Sequence, residues 1–148
     1  YYPNRKMIPG HELGNLMVVA PSDKEGKPSL NANYGKDELD VHAPGHEVYT
    51  AGVGNTYGLG TGTGMAAATL AGAAALIRSY FPKLSAAEVR NLLIRSVTPM
   101  GDMEVEKTIV VNERKVQDLF TYSDISISGG IVNVANAVKE ALRLSNAK

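Results

Sequence analysis

The longest apolar stretch of the chain lies near its middle, and its hydrophobic positions follow no single helical stripe. From Met65 to Ile77 the sequence is made largely of alanine with leucine, methionine and isoleucine. On a helical period of about 3.6 residues these side chains cover every face, which is typical of a buried helix. The pattern therefore predicts a helix that needs neighbouring elements on all sides.

A glycine-rich segment, Gly58 to Gly64, leads directly into this apolar stretch. Glycine adopts backbone angles that other residues avoid. The first amides of a helix have no partner inside the helix, and they point at whatever lies in front of it. The combination indicates a candidate binding site at the start of the predicted helix.

Short apolar runs elsewhere predict strands. Leu16 to Ala20 and Leu39 to Ala43 are each bounded by polar or turn-forming residues, which is typical of strands buried on both faces of a parallel sheet. His46 to Ala51 is a third candidate strand. Strands that alternate with helices indicate an α/β architecture around a mostly parallel sheet.

Two further helices have clear start signals. Ser85 and Glu88 have the spacing of a capping box, and an apolar stripe with Arg90 outside it follows until Thr98 and Pro99 end the helix. Asn133 can cap a last helix. Its predicted inner stripe is Val134, Val138, Ala141 and Leu142.

The segment between these helices contains two strand-like runs. Lys107 to Val111 and Lys115 to Phe120 are separated by Asn112, Glu113 and Arg114. This arrangement predicts a β-hairpin with a three-residue connection that lacks the usual glycine.

Composition narrows the classes of function. Lys plus Arg and Asp plus Glu number 15 each, so net charge favours neither a nucleic acid nor an acidic partner. The chain has no cysteine, which excludes disulfides, thiolate metal sites and cysteine nucleophiles. The run from Met65 to Ile77 is too short and too rich in alanine to span a membrane.

The glycine-rich segment by itself admits two interpretations. Gly62, Gly64 and Ala67 fit the spacing of a dinucleotide-binding turn. That motif should follow an apolar strand directly and precede an acidic residue about 20 positions later, and neither feature is present. The other interpretation is a tight turn that caps a core helix.

A third interpretation comes from resemblance to a known family. Gly62-Thr63-Gly64-Met65-Ala66-Ala67, followed by Leu70 to Ile77, resembles the nucleophile segment of subtilisin-like serine proteases, which reads G-T-S-M-A and then V-A-G-A-A-A-L. The segments beginning at Asn15, Leu39 and Gly129 resemble further strands and the last helix of that family. The resemblance implies a three-layer subtilisin fold.

The resemblance fails at the position of the nucleophile. Gly64 stands where the family has its serine, Ala68 replaces a proline, and Thr69 and Thr61 replace a histidine and an asparagine. Glycine has no side chain that could attack a carbonyl. The resemblance therefore implies a chain that does not hydrolyse peptides through this position.

The family also implies roles for individual residues. The backbone N–H of Gly64 corresponds to an oxyanion donor, and the substrate-binding positions correspond to Tyr1, Tyr2, Pro3, Gly62 and Thr63. Glu38 and Asp40 match positions near a weak cation site of some relatives, although a solvated turn is the preferred interpretation because two acids supply too few ligands. No other cofactor is expected.

None of the three histidines, His11, His42 and His46, matches a catalytic position of the family. The catalytic aspartate, histidine and oxyanion asparagine of the family lie on segments N-terminal to those matched here. Residues 1–148 thus correspond to the C-terminal portion of a catalytic domain, with 99–128 as a family-specific insertion.

Three functions remain open at this stage: part of a subtilisin-like serine endopeptidase that is inactive as this chain, a pseudoprotease that binds peptides, and a dinucleotide-binding module. The expected partners are a peptide or protein substrate of the parent, and the missing N-terminal half of the domain or a second copy of the chain. Family resemblance implies a secreted or periplasmic protein.

Overall fold

The computed structural model describes residues 13–29 and 32–146. Tyr1, Tyr2, Pro3 and His11 lie outside the described residues. In chain order the elements are β1 (Val19–Ser22), β2 (Val41–Pro44), β3 (Val48–Gly52), β4 (Thr56–Gly60), α1 (Thr63–Tyr80), α2 (Ala86–Arg95), β5 (Thr98–Pro99), β6 (Glu104–Val111), β7 (Arg114–Thr121), α3 (Tyr122–Ile125), β8 (Gly130–Ile131) and α4 (Val134–Asn146).

A four-stranded sheet in the order β1-β2-β8-β5 organises the fold. β1 and β2 are parallel with Val19 opposite Val41, β8 continues the sheet in parallel beside β2, and β5 is antiparallel to β8. The predicted α/β architecture with a mostly parallel sheet is confirmed. β1 and β2 begin two or three residues later than the apolar runs at Leu16 and Leu39 suggest.

One face of the sheet is covered by α1, α2 and α4. Apolar side chains from all three helices meet Val41 in the main core, because each helix turns an apolar stripe toward the sheet. The buried members of this core are Val41, Leu70, Ala73, Ile77, Leu84, Val89, Leu92, Leu93, Ala137 and Ala141.

The helix α1 buries one stripe only. Its buried residues are Ala66, Leu70, Ala73 and Ile77, whereas most of the alanines between them and Leu76, at 43% exposed, face outward. The prediction of burial on all sides is therefore wrong for the described chain, because the sheet, α2 and α4 lie on one side of the helix. The apolar character of the open side is the feature that the sequence identified correctly.

The starts of the other two long helices agree with their capping signals. The Ser85 Oγ accepts from the Glu88 amide, and the Glu88 carboxylate accepts from the Ser85 amide, which confirms the capping box. The Asn133 side chain accepts from the Asn136 amide at the start of α4. Within α4 the predicted inner stripe is partly wrong, since Ala137 and Ala141 are buried but Leu142 is 52% exposed.

The predicted hairpin is formed by β6 and β7, which pair along their whole length. Its connection has two residues and not three, because Val111 is directly opposite Arg114. Asn112 and Glu113 both have positive φ, at 49° and 64°, which is the conformation of a type I′ turn. Asparagine tolerates this conformation, so the turn forms without glycine.

The second face of the sheet is covered by the base of this hairpin and by α3. Val105, Tyr122 and Ile125 form a smaller core there, with Phe120 and Tyr34 packed against it. His42 points into this side and meets the Tyr122 ring edge-on at 4.8 Å. No helix among residues 13–29 and 32–146 is long and apolar enough to cross a membrane.

Candidate functional site

The start of α1 is open toward the surface. Gly62 precedes the helix with φ of 147°, no side chain caps the first turn, and no acidic residue lies in it. Within the described residues no hydrogen-bond acceptor is present for the amides of Thr63 and Gly64. The positive end of an 18-residue helix is thus left with free donors, which suits a carbonyl oxygen or an anion.

The turn after β2 holds this helix start in place. The Gly62 amide donates to the Gly45 carbonyl at 2.8 Å, and the Glu47 amide donates to the Thr61 Oγ1 at 2.9 Å. Nearly two turns into the helix, the Thr69 hydroxyl lies 3.3 Å from the Pro44 carbonyl. These contacts fix the position of the exposed amides relative to the sheet.

Gly45 is required by close packing at this point. A Cβ atom on residue 45 would lie 2.6 Å from the Pro21 Cβ and 3.0 Å from both the Ala66 Cβ and the Gly62 carbonyl oxygen. Any side chain would push the helix start away from the sheet. Gly45 ends the segment beginning at Leu39 that resembles the family, but nothing in a one-dimensional pattern reports a contact between residues 45 and 62.

The ribbon β3–β4 lies immediately before the helix start. β3 agrees with a predicted strand, but β4 occupies part of the segment that was interpreted as a glycine-rich turn. Tyr49 and Tyr57 stack on its outer face with ring centroids 6.0 Å apart, beside the exposed Leu59. On the inner face the Met65 sulfur packs close to Gly60. The ribbon therefore forms one wall beside the site.

Gly64 is exposed in the first turn of α1 and has open space around it. A Cβ atom built on Gly64 meets no other heavy atom within 4 Å, and its φ is not in the left-handed region. A side chain at this position would cause no clash and no backbone strain. The absence of a side chain at position 64 is therefore not required by packing or by backbone geometry.

Asp40 is a buried partner of Arg90 and not part of a solvated turn. Its Oδ1 lies 2.7 Å from the Arg90 Nη2, and its Oδ2 accepts from the Val18 amide at 2.7 Å. Arg90, which the helical pattern placed outside, also donates to the Leu16 carbonyl. Since protein donors contact both carboxylate oxygens, the geometry does not favour a cation at Asp40. No cluster of three or more His, Cys, Asp and Glu residues suited to a metal occurs in the described ranges.

His42 is buried beneath the sheet, at 1% exposed. Burial, together with the nearby Lys107 ammonium, lowers the pKa of His42 to about 4. Its Nδ1 has no hydrogen-bond partner among the described residues. His46 lies in the exposed turn next to Gly45. Alternation along the strand places His42 on the face opposite Val41, but the sequence does not show that the hairpin covers that face.

Comparisons with known proteins identify the class of this chain. The model of the subtilase family, peptidase S8, matches residues 5–120. The chain belongs to the subtilase family.

Individual relatives agree with this assignment. The chain is 52% identical to subtilisin DY of Bacillus licheniformis over 65 residues, which cover 44% of this chain and 24% of the relative. It is 35% identical to subtilisin BL of Lederbergia lenta over 98 residues, which cover 66% of this chain and 36% of the relative. The matched segments thus span well under half the length of these curated relatives.

Solved structures show the same fold. Patellamide maturation protease PatA superposes with a TM-score of 0.65 at 23% identity, over 88% of this chain and 44% of that protein. The A-subunit of the AB5 toxin from E. coli superposes with a TM-score of 0.63 at 21% identity, over 84% of this chain and 37% of that protein. The α/β fold of the described residues is therefore subtilisin-like.

Proposed function

We propose that this chain is the C-terminal portion of a subtilisin-like serine endopeptidase domain and that it does not cleave peptide bonds by itself. The observation that carries the proposal is the start of α1, where exposed backbone amides are held against the sheet and residue 64 is a glycine. In the proposed alignment Gly64 stands at the nucleophile position of the family. The parent family acts through a serine, a histidine and an aspartate.

The backbone contribution to catalysis survives the loss of the side chain. An oxyanion is stabilised by N–H groups that point to the place where negative charge develops. In our proposal the Gly64 amide supplies such a donor, while Gly62 and Thr63 line the substrate beside it. Tyr1, Tyr2 and Pro3 are proposed as further substrate-binding residues on the basis of family resemblance.

The remaining catalytic groups would come from outside the matched segment. A serine requires a neighbouring base to remove its proton, and in the proposed alignment that base and its aspartate lie N-terminal to this segment. The open side of α1 fits this proposal, because an uncovered apolar helix face needs a further layer. We infer that the N-terminal half of the domain packs there, with a second copy of the chain as the other candidate.

The proposal is tested by restoring the nucleophile in two settings. Gly64→Ser should be tolerated because no atom lies within 4 Å of the added Cβ. In the chain by itself we expect no peptide hydrolysis and no labelling by a serine-directed phosphonate. When the N-terminal part of a subtilase domain is added, Gly64→Ser should gain both.

Gly64→Ala is the matched control, because it adds the same Cβ without a hydroxyl and should gain neither hydrolysis nor labelling. Phosphonate-sensitive cleavage by the unchanged chain would contradict the proposal. Turnover by Gly64→Ser without the added half would show that a residue of this chain, such as one of its histidines, acts as the base.

A second candidate function is peptide binding without cleavage. The free amides of Thr63 and Gly64 favour it, because they can donate to a peptide carbonyl whether or not a nucleophile is present. Calorimetry on the complete parent protein with an extended apolar peptide should then detect binding, and Gly45→Ala should weaken it by displacing the helix start. Absence of heat on titration would exclude this second function. A secreted or periplasmic location stays a prediction.

A further inference from the structure

The hairpin formed by β6 and β7 is anchored at its base and extends beyond the core. Lys107 is 1% exposed, and its ammonium donates to the carbonyls of Ser29 at 2.5 Å and Ala32 at 3.3 Å. The ammonium also lies 5.2 Å from the centre of the Tyr34 ring, within the range of a cation–π interaction. Beyond this anchor the hairpin is exposed, with Val110 at 68% and Val111 at 47%.

The turn decides which backbone groups face outward. In a hairpin closed by a two-residue turn, the flanking pair Val111 and Arg114 exchanges both hydrogen bonds, and such pairs alternate with pairs whose N–H and C=O groups point away. Counting from the turn along the observed register, the outward-facing residues are Glu104, Glu106, Thr108 and Val110 on β6, and Lys115, Gln117, Leu119 and Thr121 on β7. The Leu119 amide agrees, because it donates outward to the Asp118 carboxylate at 2.9 Å.

The two free edges are protected to different degrees. On β7 the Asp118 carboxylate occupies an outward amide, and Arg114 and Lys115 place charges along the edge, which are devices that discourage strand pairing. On β6 the four residues 108–111 are uncharged and β-branched. Among the described residues no hydrogen bond is made by the outward amides of Glu106, Thr108 and Val110. The open edge of the hairpin is therefore β6.

We propose that the β6 edge pairs with the β6 edge of a second copy of this chain, antiparallel about a two-fold axis at Thr108. The centre follows from charge, since an axis at Glu106 would set the Glu106 carboxylates of the two copies opposite each other, whereas an axis at Thr108 opposes no two acids. Thr108 then pairs with Thr108 of the second copy, and Glu106 with its Val110. These pairs supply about six backbone hydrogen bonds, and the two hairpins form one four-stranded sheet. This inference is independent of the proposed protease function.

Charge and apolar contacts favour a second copy as the occupant of this edge. In the proposed register Glu106 lies opposite a valine and Glu104 opposite an asparagine, so no acid faces an acid. The exposed Val111 of each copy lies opposite Val105, which belongs to the core at the base of the hairpin. A two-fold contact of this kind is closed, and it joins two copies without forming a filament.

The absence of native cysteine allows a direct test with single thiols in the full 148-residue chain. Thr108→Cys should form a disulfide-linked dimer under mild oxidation, because directly opposed hydrogen-bonded residues have Cα atoms about 5.5 Å apart, a separation that a disulfide spans. Gln117→Cys is the matched control, since Gln117 is the cross-strand partner of Thr108 on the protected edge. Equal yields from the two variants, or no dimer from Thr108→Cys, would overturn the proposal.

A second pair of variants separates this contact from association through α1. Thr108→Pro removes an outward amide without removing a hydrogen bond of the hairpin, and it should weaken dimerisation at least tenfold in sedimentation equilibrium. Gln117→Pro removes the equivalent amide of β7 and should leave dimerisation unchanged. If both proline variants dimerise as strongly as the unchanged chain, the association uses another surface and the proposal is wrong.

Discussion

The two faces of the four-stranded sheet are covered to different extents, and on each face the extent of cover is the opposite of what its polarity suggests. The helical face is almost purely apolar, yet α1 leaves one of its sides uncovered. The second face carries His42 and Ser22, and the base of the hairpin brings Lys107 to it, yet all three side chains are at most 1% exposed. Polarity therefore did not decide which face is closed.

What decides closure is which segments of chain are present to cover each face. The base of the hairpin and α3, both within residues 99–128, cover the second face together with Tyr34, so polar groups are buried there together with apolar ones. The side of α1 that remains open has the composition of a buried surface, and no described element lies over it. This difference supports the proposal that a further layer packs against α1.

The largest expected effect concerns the ion pair between Arg90 of α2 and Asp40, the residue that precedes β2. Arg90→Ala removes the guanidinium from a carboxylate whose side chain is 0% exposed, and losing one member of a buried pair costs about 3–5 kcal/mol. Urea unfolding should show this loss, whereas Arg95→Ala, at an exposed position of α2, should change stability little. Asp40→Asn combined with Arg90→Ala should recover part of the loss. Equal effects of the two arginine variants would show that the pair does not hold α2 to the sheet.

The next largest effect is a difference in stability loss between side-chain truncations on the two sides of α1. Ile77→Ala creates a cavity at a residue that is 0% exposed and should cost about 2–5 kcal/mol. Leu76→Ala removes a side chain that is 43% exposed and should cost less than about 1 kcal/mol in the chain by itself. Thermal unfolding of both variants measures the difference. If the N-terminal half of a domain covers the open side, adding that half to the chain should increase the stability lost in Leu76→Ala. The stability lost in Ile77→Ala should stay unchanged.

The burial of His42 on the second face should make the stability of the chain depend on pH. The pKa of His42 is lowered from 6.5 to about 4 by burial and by Lys107, so the unfolded chain takes up a proton between these values and the folded chain does not. Stability from this residue is complete above pH 6.5, falls as the pH decreases toward 4, and is constant below that. The total change is at most about 3 kcal/mol.

His42→Phe keeps a ring against Tyr122 and removes the titrating group, so it should flatten this part of the stability profile. His46→Gln removes an exposed histidine and serves as the control. A profile in which both variants keep the slope of the unchanged chain would show that His42 is not responsible.

The smallest effect is local to the start of α2. Ser85→Ala removes the hydroxyl that accepts from the Glu88 amide at 3.2 Å and should cost about 1 kcal/mol. Ser79→Ala near the end of α1 is the comparison, because its hydroxyl bonds only to the Leu76 carbonyl one turn earlier. A shift in urea midpoint as large for Ser79→Ala as for Ser85→Ala would contradict the importance of the capping box.

Local signals predicted most of the secondary structure. The capping box at Ser85 and the cap at Asn133 involve residues three positions apart, so the sequence contains the whole interaction. The hairpin was predicted for the same reason, although its turn is one residue shorter than expected. β4 was missed because glycine gives little strand preference, and only pairing with β3 makes this segment extended.

Residue types and their order along the chain were enough to identify the family, the helix at the centre of the candidate site, and Gly64 as a residue without a reactive group. These depend on residue types and on spacings within one segment. Tertiary structure alone decided the contacts of Gly45 with Gly62, the pairing of Asp40 with Arg90, and the burial of His42 and Lys107. Each of these joins segments that are distant in sequence, and burial depends on how completely neighbouring elements exclude water. A side chain's type shows what it can bond to, but only the folded chain determines which partner is within reach.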